Sequence, residues 1–441
     1  MKSPRKWSAV GTAVLLAVAI PALVVSGSSS AQEDGVDHAN QKDWVGSWDK
    51  ALTASDTVGR SFTGFNNESF RSLSHVSVGG DKVRIKFANP FGTQSVTIGK
   101  ATVAKPDTAT PALTDLVAST VHNLTFNGHA SATLLKGQEL LSDPVDMRVD
   151  DVSDLVTTMF FPTATGPTSW HATARQTAFI GAGDLTADAA GTGFTISSPR
   201  FYFVTGVDVL RSKAAGSVVV LADSIADGNG STLDANTRWT DFLAKRLVDL
   251  RRNGKVPGVL NAALAGNRLN HEGPEPGADG FPGFPQLGSN ANARLNLDVF
   301  SQTGVHTVLF DLGINDIWMT GDSADAIIDA IRVNAKLVKE HGLRFVVGTL
   351  GPYEGFDLNG VLNEPDDAWT PAKEATRNAV NEFIRTHRGE FDGVVDFDQV
   401  LRDPAAPSKV KAEFDSGDHI HPNDAGAQAM ANSIPLNLVI N

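Results

Sequence analysis

The sequence predicts an α/β protein: a three-layer α/β/α domain around a five-stranded parallel sheet, preceded by a β-sandwich of jelly-roll type. Two observations carry this. From Trp44 to about Thr205 the chain is a series of short period-two runs between Gly and Pro turns. From about Gly206 onward, continuous apolar runs alternate with helical patterns. Alternation of period two marks strands with one buried face, whereas unbroken apolar runs separated by helices mark parallel strands covered on both faces.

In the first part, Lys82-Val83-Arg84-Ile85-Lys86-Phe87-Ala88 alternates polar and apolar residues between Gly79-Gly80 and Asn89-Pro90-Phe91-Gly92. Ser95 to Gly99 and Asp154 to Phe161 continue the pattern, and no long helix interrupts it. A β-sandwich domain over 44–205 follows. In the second part, apolar runs lie at 217–222, 256–262, 306–312, 344–348 and 393–397. Helical segments are expected at 238–252, 323–341 and 371–387, with one more from Asn423. Crossovers this short point to a flavodoxin-like strand order over 206–441. The boundary near 205 is a change of period rather than a linker, because Asp208-Val209-Leu210 leads directly toward the first parallel strand. The two domains are therefore expected to pack on each other.

Residues 1–31 stand apart from this body. Lys2, Arg5 and Lys6 precede an apolar stretch from Val10 to Val25, and Ser29-Ser30-Ala31 offers small residues for cleavage. Pro21 interrupts the stretch, so it reads as a signal peptide of a secreted, extracellular protein rather than a membrane span. No other segment approaches the roughly 20 apolar residues that cross a bilayer. The formal charge is −13, and removal of residues 1–31 makes it more negative, which argues against nucleic acid or anionic membranes as partners. The chain has no cysteine, which excludes disulfides, thiolate metal sites and a cysteine nucleophile. Oligomeric state is not legible.

The most informative stretch is Ser217 to Gly228, where the apolar run Val218-Val219-Val220-Leu221 stops at Asp223-Ser224. A parallel strand delivers a side chain to its C-terminal edge in this way, and Ser224 becomes a nucleophile if a base serves it. Asp418 and His421, three residues apart before a helix, supply a carboxylate and an imidazole. At that spacing the carboxylate can hold the ring in one tautomer, leaving the far nitrogen for a serine. Two further strand ends can offer donors to an oxyanion: Gly266, where backbone approaches a ligand closely, and Asn315 with its side-chain amide.

Ala222-Asp-Ser224-Ile, Gly266, Gly313-Ile-Asn-Asp316 and Asp418-His-Ile-His421 together resemble the four blocks of the SGNH hydrolases, the GDSL esterases and lipases. The resemblance covers about 206–441, and the N-terminal half is similar to the β-sandwich of some secreted actinobacterial members, including a xylan-esterase-like branch. It implies Ser224 as nucleophile, His421 as general base and Asp418 as its orienting carboxylate. It implies an oxyanion hole from the N–H groups of Ser224 and Gly266 and the Asn315 amide, an acyl-enzyme, and no metal or organic cofactor. The substrate class is an acyl ester, a small molecule or a polysaccharide, with a small acyl group on carbohydrate as first choice and lipid esters as the alternative. The sequence departs from the family pattern at Ala222, Ala226 and Ala263, where a methyl can strain the backbone or narrow the pocket.

Competing readings stand beside this one. Gly321-Asp322-Ser323 matches the motif more literally, but it follows no strand and opens a helix, so it reads as a cap. His419 and His421 with Asp415, Asp418 and Asp424 would suit a metal only if both rings converged. Asp227, Asp316 and Asp424 read as turn, cap or supporting residues. The Gly- and Pro-rich loop from His271 to Asn292, with Phe281 and Phe284, is either a wall of the crevice or a self-packed excursion. Trp44, Trp48 and Trp170 are better suited to packing than to sugar stacking. A non-catalytic carbohydrate- or surface-binding protein is the rival from another class.

Overall fold

The computed structural model describes residues 43–440 except 111, 213, 251–254, 279–280 and 357–367. The segment 1–31, read as a signal peptide, lies outside them.

The period-two runs form two antiparallel sheets. In one, Val204–Leu210 lies between Trp44–Asp49 and Gly80–Ala88, and Gly80–Ala88 also pairs with Glu139–Leu141 and Val145–Val149. In the other, Glu68–Val76 and Ser153–Phe161 are central, flanked by Ala178–Ala182 and Lys100–Ala104. Apolar residues of both sheets, among them Ile85, Phe87, Val207, Phe70, Val103 and Met159, share one core. Because Val204–Leu210 pairs on both sides, the antiparallel sheet runs to Leu210, past the change of period at 205.

The continuous apolar runs form the five-stranded parallel sheet. Its chain-order strands are Ser217–Ala222, Gly258–Asn261, Val305–Asp311, Arg344–Gly348 and Gly393–Val395. In space the second lies outside the first, and the third, fourth and fifth follow on the other side, which is the flavodoxin-like order. Pleating divides the first strand's side chains between two cores. Val218, Val220 and Ala222 join the core that also contains the antiparallel sheets, with Trp239–Leu250 and Asp424–Ser433 covering that face. Val219 and Leu221 face Ala324–Glu340 and Pro371–Thr386.

One crossover differs from expectation. No helix was expected between the second and third parallel strands, yet Ala291–Arg294 is helical and continues as the wide turn Leu295–Phe300. The sequence Ala-Arg-Leu-Asn-Leu-Asp alternates as a strand would. Burial of Leu295 and Val299 against the sheet overrides that local pattern.

The antiparallel part seals the edge of the parallel sheet. Val259 N–H, on the edge strand, donates to Ser77 Oγ (2.9 Å), and Ser217 Oγ donates to Gly46 O (3.1 Å). A Cβ on Gly258 would lie 1.9 Å from Gly46 O, so the two backbones touch only because this residue is glycine. The described residues accordingly lie in one compact unit.

Candidate active site

The first parallel strand is buried along its whole length and ends at Ala222. Asp223 caps the short helix Ser224–Asp227 by accepting Ile225 N–H (3.1 Å), which turns the chain and sets Ser224 above the strand end. Ser224 Oγ lies 2.8 Å from His421 Nε2, and His421 Nδ1 lies 2.5 Å from Asp418 Oδ2. The other Asp418 oxygen accepts the N–H groups of Ile420 (3.1 Å) and His421 (2.9 Å). Burial opposes the Asp418 charge, but the His421 ring and these two N–H groups outweigh it and hold the carboxyl well below the usual range. Ser224, Asp418 and His421, distant in sequence, thus stand in hydrogen-bond order.

The donors predicted for an oxyanion meet at the same place. Gly266, at φ +77°, lines the cavity beside Ser224, His421 and Asn315. Among the described residues, the N–H groups of Ser224 and Gly266 have no acceptor. A Cβ at Gly266 would stand 2.4 Å from Leu287 Cδ2, so both conformation and space require glycine there. The Asn315 amide is aimed by a residue that sequence reasoning missed: Trp318 Nε1 donates to Asn315 Oδ1 (2.8 Å). Its NH₂ therefore points the other way, donating to Asn267 O (2.9 Å) and over a longer distance to Asp223 Oδ2 (3.3 Å).

The three alanine departures create no strain, because Ala222, Ala226 and Ala263 all have negative φ. Each methyl is fully buried, and none lines the cavity. Ser323 accepts Ala326 N–H (3.3 Å) and caps Ala324–Glu340, away from His421. His419 turns to Asp415 (2.6 Å) while His421 turns to Asp418, so the two rings serve different carboxylates. Among the described residues, the group whose ligand atoms do converge within 4.8 Å is His271, Asp316 and Asp322. Those atoms are already engaged: Asp316 accepts Leu269 and Asn270 N–H, and Asp322 accepts from Asn270 Nδ2 with His271 Nε2 at 2.9 Å. They pin the Gly266 turn to the third strand end. Asp424 accepts from Thr232 and Thr237 and ties the loop after Ser224 to the last helix.

Beneath Ser224 lies a pair of buried carboxyls, Asp223 and Asp311. Burial raises both above the usual range, and the Asp311 carboxyl further disfavours ionisation of Asp223.

The cavity itself measures about 210 Å³. One wall is apolar: Phe281, Phe284, Leu287, Trp318, Met319 and Phe356. Phe281 packs edge-on against Phe284 and Trp318, and Trp318 against Phe356. The loop after Asn270 therefore borders the cavity, anchored by Arg268 to the carbonyls of Glu272, Gly273 and Glu275. The antiparallel part also lines the cavity, through His171, Ala172 and Thr173. No sequence signal marked these residues, because they approach Ser224 only across the packed halves. Trp44, Trp48 and Trp170 are buried and unavailable for stacking on a sugar.

A strand-end serine in hydrogen-bond order with a histidine and a carboxylate, on a parallel sheet, is the arrangement that acyl transfer calls for. Residues 223–429 match the GDSL-like Lipase/Acylhydrolase family, and this region of the chain belongs to it; the protein is a carboxylic ester hydrolase. No curated relative matches the chain. Similar solved structures include a GDSL-like lipase from Bacteroides thetaiotaomicron, 14% identical, covering 52% of this chain and 88% of that one at TM-score 0.34. Another is a variant of an acetyl-xylooligosaccharide esterase from Geobacillus, 18% identical, covering 52% and 98% at TM-score 0.36. No helix among the described residues is long and apolar enough to cross a membrane.

Proposed function

We propose that the protein is a secreted serine esterase in which Ser224, His421 and Asp418 act as a triad. The observation that carries this is the chain Ser224 Oγ–His421 Nε2 and His421 Nδ1–Asp418 Oδ2, at 2.8 and 2.5 Å, opening on the cavity that Gly266 and Asn315 line. His421 takes the Ser224 proton as Oγ bonds to the acyl carbon. The carbonyl oxygen becomes an oxyanion held by the N–H groups of Ser224 and Gly266 and the Asn315 amide. Collapse breaks the ester C–O bond, and His421 returns the proton to the leaving alcohol. A water molecule, deprotonated by His421, then attacks the acyl-enzyme and frees the acid and Ser224.

The cavity supports a choice of acyl group. A dry cavity of about 150 Å³ accepts benzene, and this one is larger and walled by aromatic rings. The volume and apolar lining favour an acyl chain longer than acetyl. Thr173, Asn229 and Gln286 on the rim suit a polar, carbohydrate-like alcohol. A p-nitrophenyl ester series should give higher kcat/KM for butyrate or hexanoate than for acetate. Ser224→Ala should lower turnover by at least about 10³-fold, and a chelator should have no effect. Equal turnover by wild type and Ser224→Ala would sink the reading. Secretion is tested by N-terminal sequencing of protein recovered from the medium, with a start near Gln32 expected.

A further inference from the structure

The antiparallel part sends two side chains under the site. Lys50 follows the strand Trp44–Asp49, and His171 ends the short strand Trp170–His171. Lys50 Nζ donates to Asp227 Oδ1 (2.7 Å), and His171 Nε2 lies 3.0 Å from the same oxygen. All three side chains are closed to solvent, at 2%, 0% and 0% exposure for Lys50, His171 and Asp227. His171 Nδ1 faces Ala51 O (2.8 Å), and Nε2 also faces Thr173 O (3.1 Å). Every partner of the ring is an acceptor. Asp227 ends the short helix that begins at Ser224, and its other oxygen accepts Ala265 N–H (3.2 Å).

A buried ion cluster is weak evidence of stability, since apolar packing of the same volume often does as well. What such a cluster supplies is geometry. Here the geometry fixed is that of the peptide next to Gly266. One carboxylate spans from the helix bearing Ser224 to the turn bearing Gly266, and it stays in place because Lys50 and His171 hold it from behind. Burial works against the Asp227 charge, and the facing His171 and Lys50 overcome it.

We infer that Lys50, His171 and Asp227 are positioning residues for the oxyanion-binding turn, so the antiparallel part completes the esterase site. The inference rests on the mechanism proposed above. It makes the antiparallel sheets a working part of the site rather than an appendage that only binds.

The test uses the full-length protein and the variants Asp227→Asn and Lys50→Met, with kcat and KM measured on p-nitrophenyl butyrate. A displaced oxyanion donor weakens the transition state and not the ground state, so kcat should fall about 10- to 100-fold. KM should stay within about twofold. Affinity for a phenylboronic acid, whose tetrahedral adduct on Ser224 places an oxygen in the oxyanion position, should fall in parallel with kcat. A purely structural role would lower Tm and leave kcat per folded molecule and boronate affinity unchanged, which overturns the inference. A raised KM at constant kcat also overturns it, since the cluster would then shape the substrate rim. Asp227→Asn is isosteric and decides the matter if Lys50→Met does not fold. Ser224→Ala is measured alongside: turnover lost there but unchanged in Asp227→Asn removes only the positioning role, whereas turnover kept in Ser224→Ala removes the mechanism and the inference together.

Discussion

At the scale of the residue, the site depends on how side chains are aimed. Asn315 has two amide faces, and Trp318 Nε1 selects one by bonding Oδ1. Asn315→Ala removes a donor and should lower kcat by about 10²–10³-fold. Trp318→Phe keeps the aromatic wall but frees the amide to turn over, so kcat should fall less, by about tenfold. Kinetics on one ester with both variants checks the order, and a larger loss in Trp318→Phe than in Asn315→Ala would contradict it. Ala222 presents the opposite case. Its methyl is buried in the shared core with negative φ, so Ala222→Gly should leave kcat unchanged and lower stability by about 1 kcal/mol. Denaturant titration measures that difference.

At the scale of the element, two serines share a motif but not a setting. Ser224 follows a buried strand and meets His421, whereas Ser323 caps Ala324–Glu340. Ser323→Ala should cost about 1 kcal/mol and no activity. Loss of turnover in that variant would reverse the assignment. The turn at Gly266 is held from three sides: Asp316 accepts Leu269 and Asn270 N–H, Arg294 bonds Asn267 Oδ1 (2.6 Å), and Asp227 accepts Ala265 N–H. Gly266→Ala combines an unfavourable φ with the contact to Leu287, so kcat should fall while the sheet stays intact. Far-UV circular dichroism and kcat together test this, and an active variant would show that the turn tolerates displacement.

At the scale of the whole molecule, the two halves share one core and a hydrogen-bonded seam, so heating should give a single cooperative transition. Two resolved calorimetric peaks would contradict that. The buried carboxyls set the pH response. Asp316 is pushed up to about 6 by burial, and Asp223 and Asp311 are raised as well. A carboxyl with a folded pKa above its unfolded value keeps its proton longer in the folded state. Its cost is absent below the unfolded pKa, about 4, and grows as pH rises toward the folded value. Asp311→Asn should therefore raise Tm relative to wild type at pH 8 and give no such gain at pH 4. A constant difference across that range would refute the charge argument. Asp418 runs the other way: its depressed pKa stabilises the fold above the ordinary carboxylate range, and that contribution is lost as pH falls through the depressed value.

Much of this is legible in the sequence. Periods of two and of apolar runs placed the antiparallel sheets and all five parallel strands, because those patterns follow from burial of one face or both. Strand ends pointed to Ser224, Gly266 and Asn315, because parallel sheets converge their C-terminal edges, and the three-residue spacing before a helix pointed to Asp418 and His421. The helix from Ala291 was hidden by an alternating pattern that only packing overrides. Lys50, His171 and Trp318 carried no local mark. Their roles come from contact across 177, 56 and 3 residues with Asp227, Asp227 and Asn315. Even the shortest of these depends on the wide turn Asp316–Thr320, which brings Trp318 back to Asn315. Local pattern specifies which backbone forms and which edge is exposed. The partners that aim each group are set by long-range packing, which no period in the chain encodes.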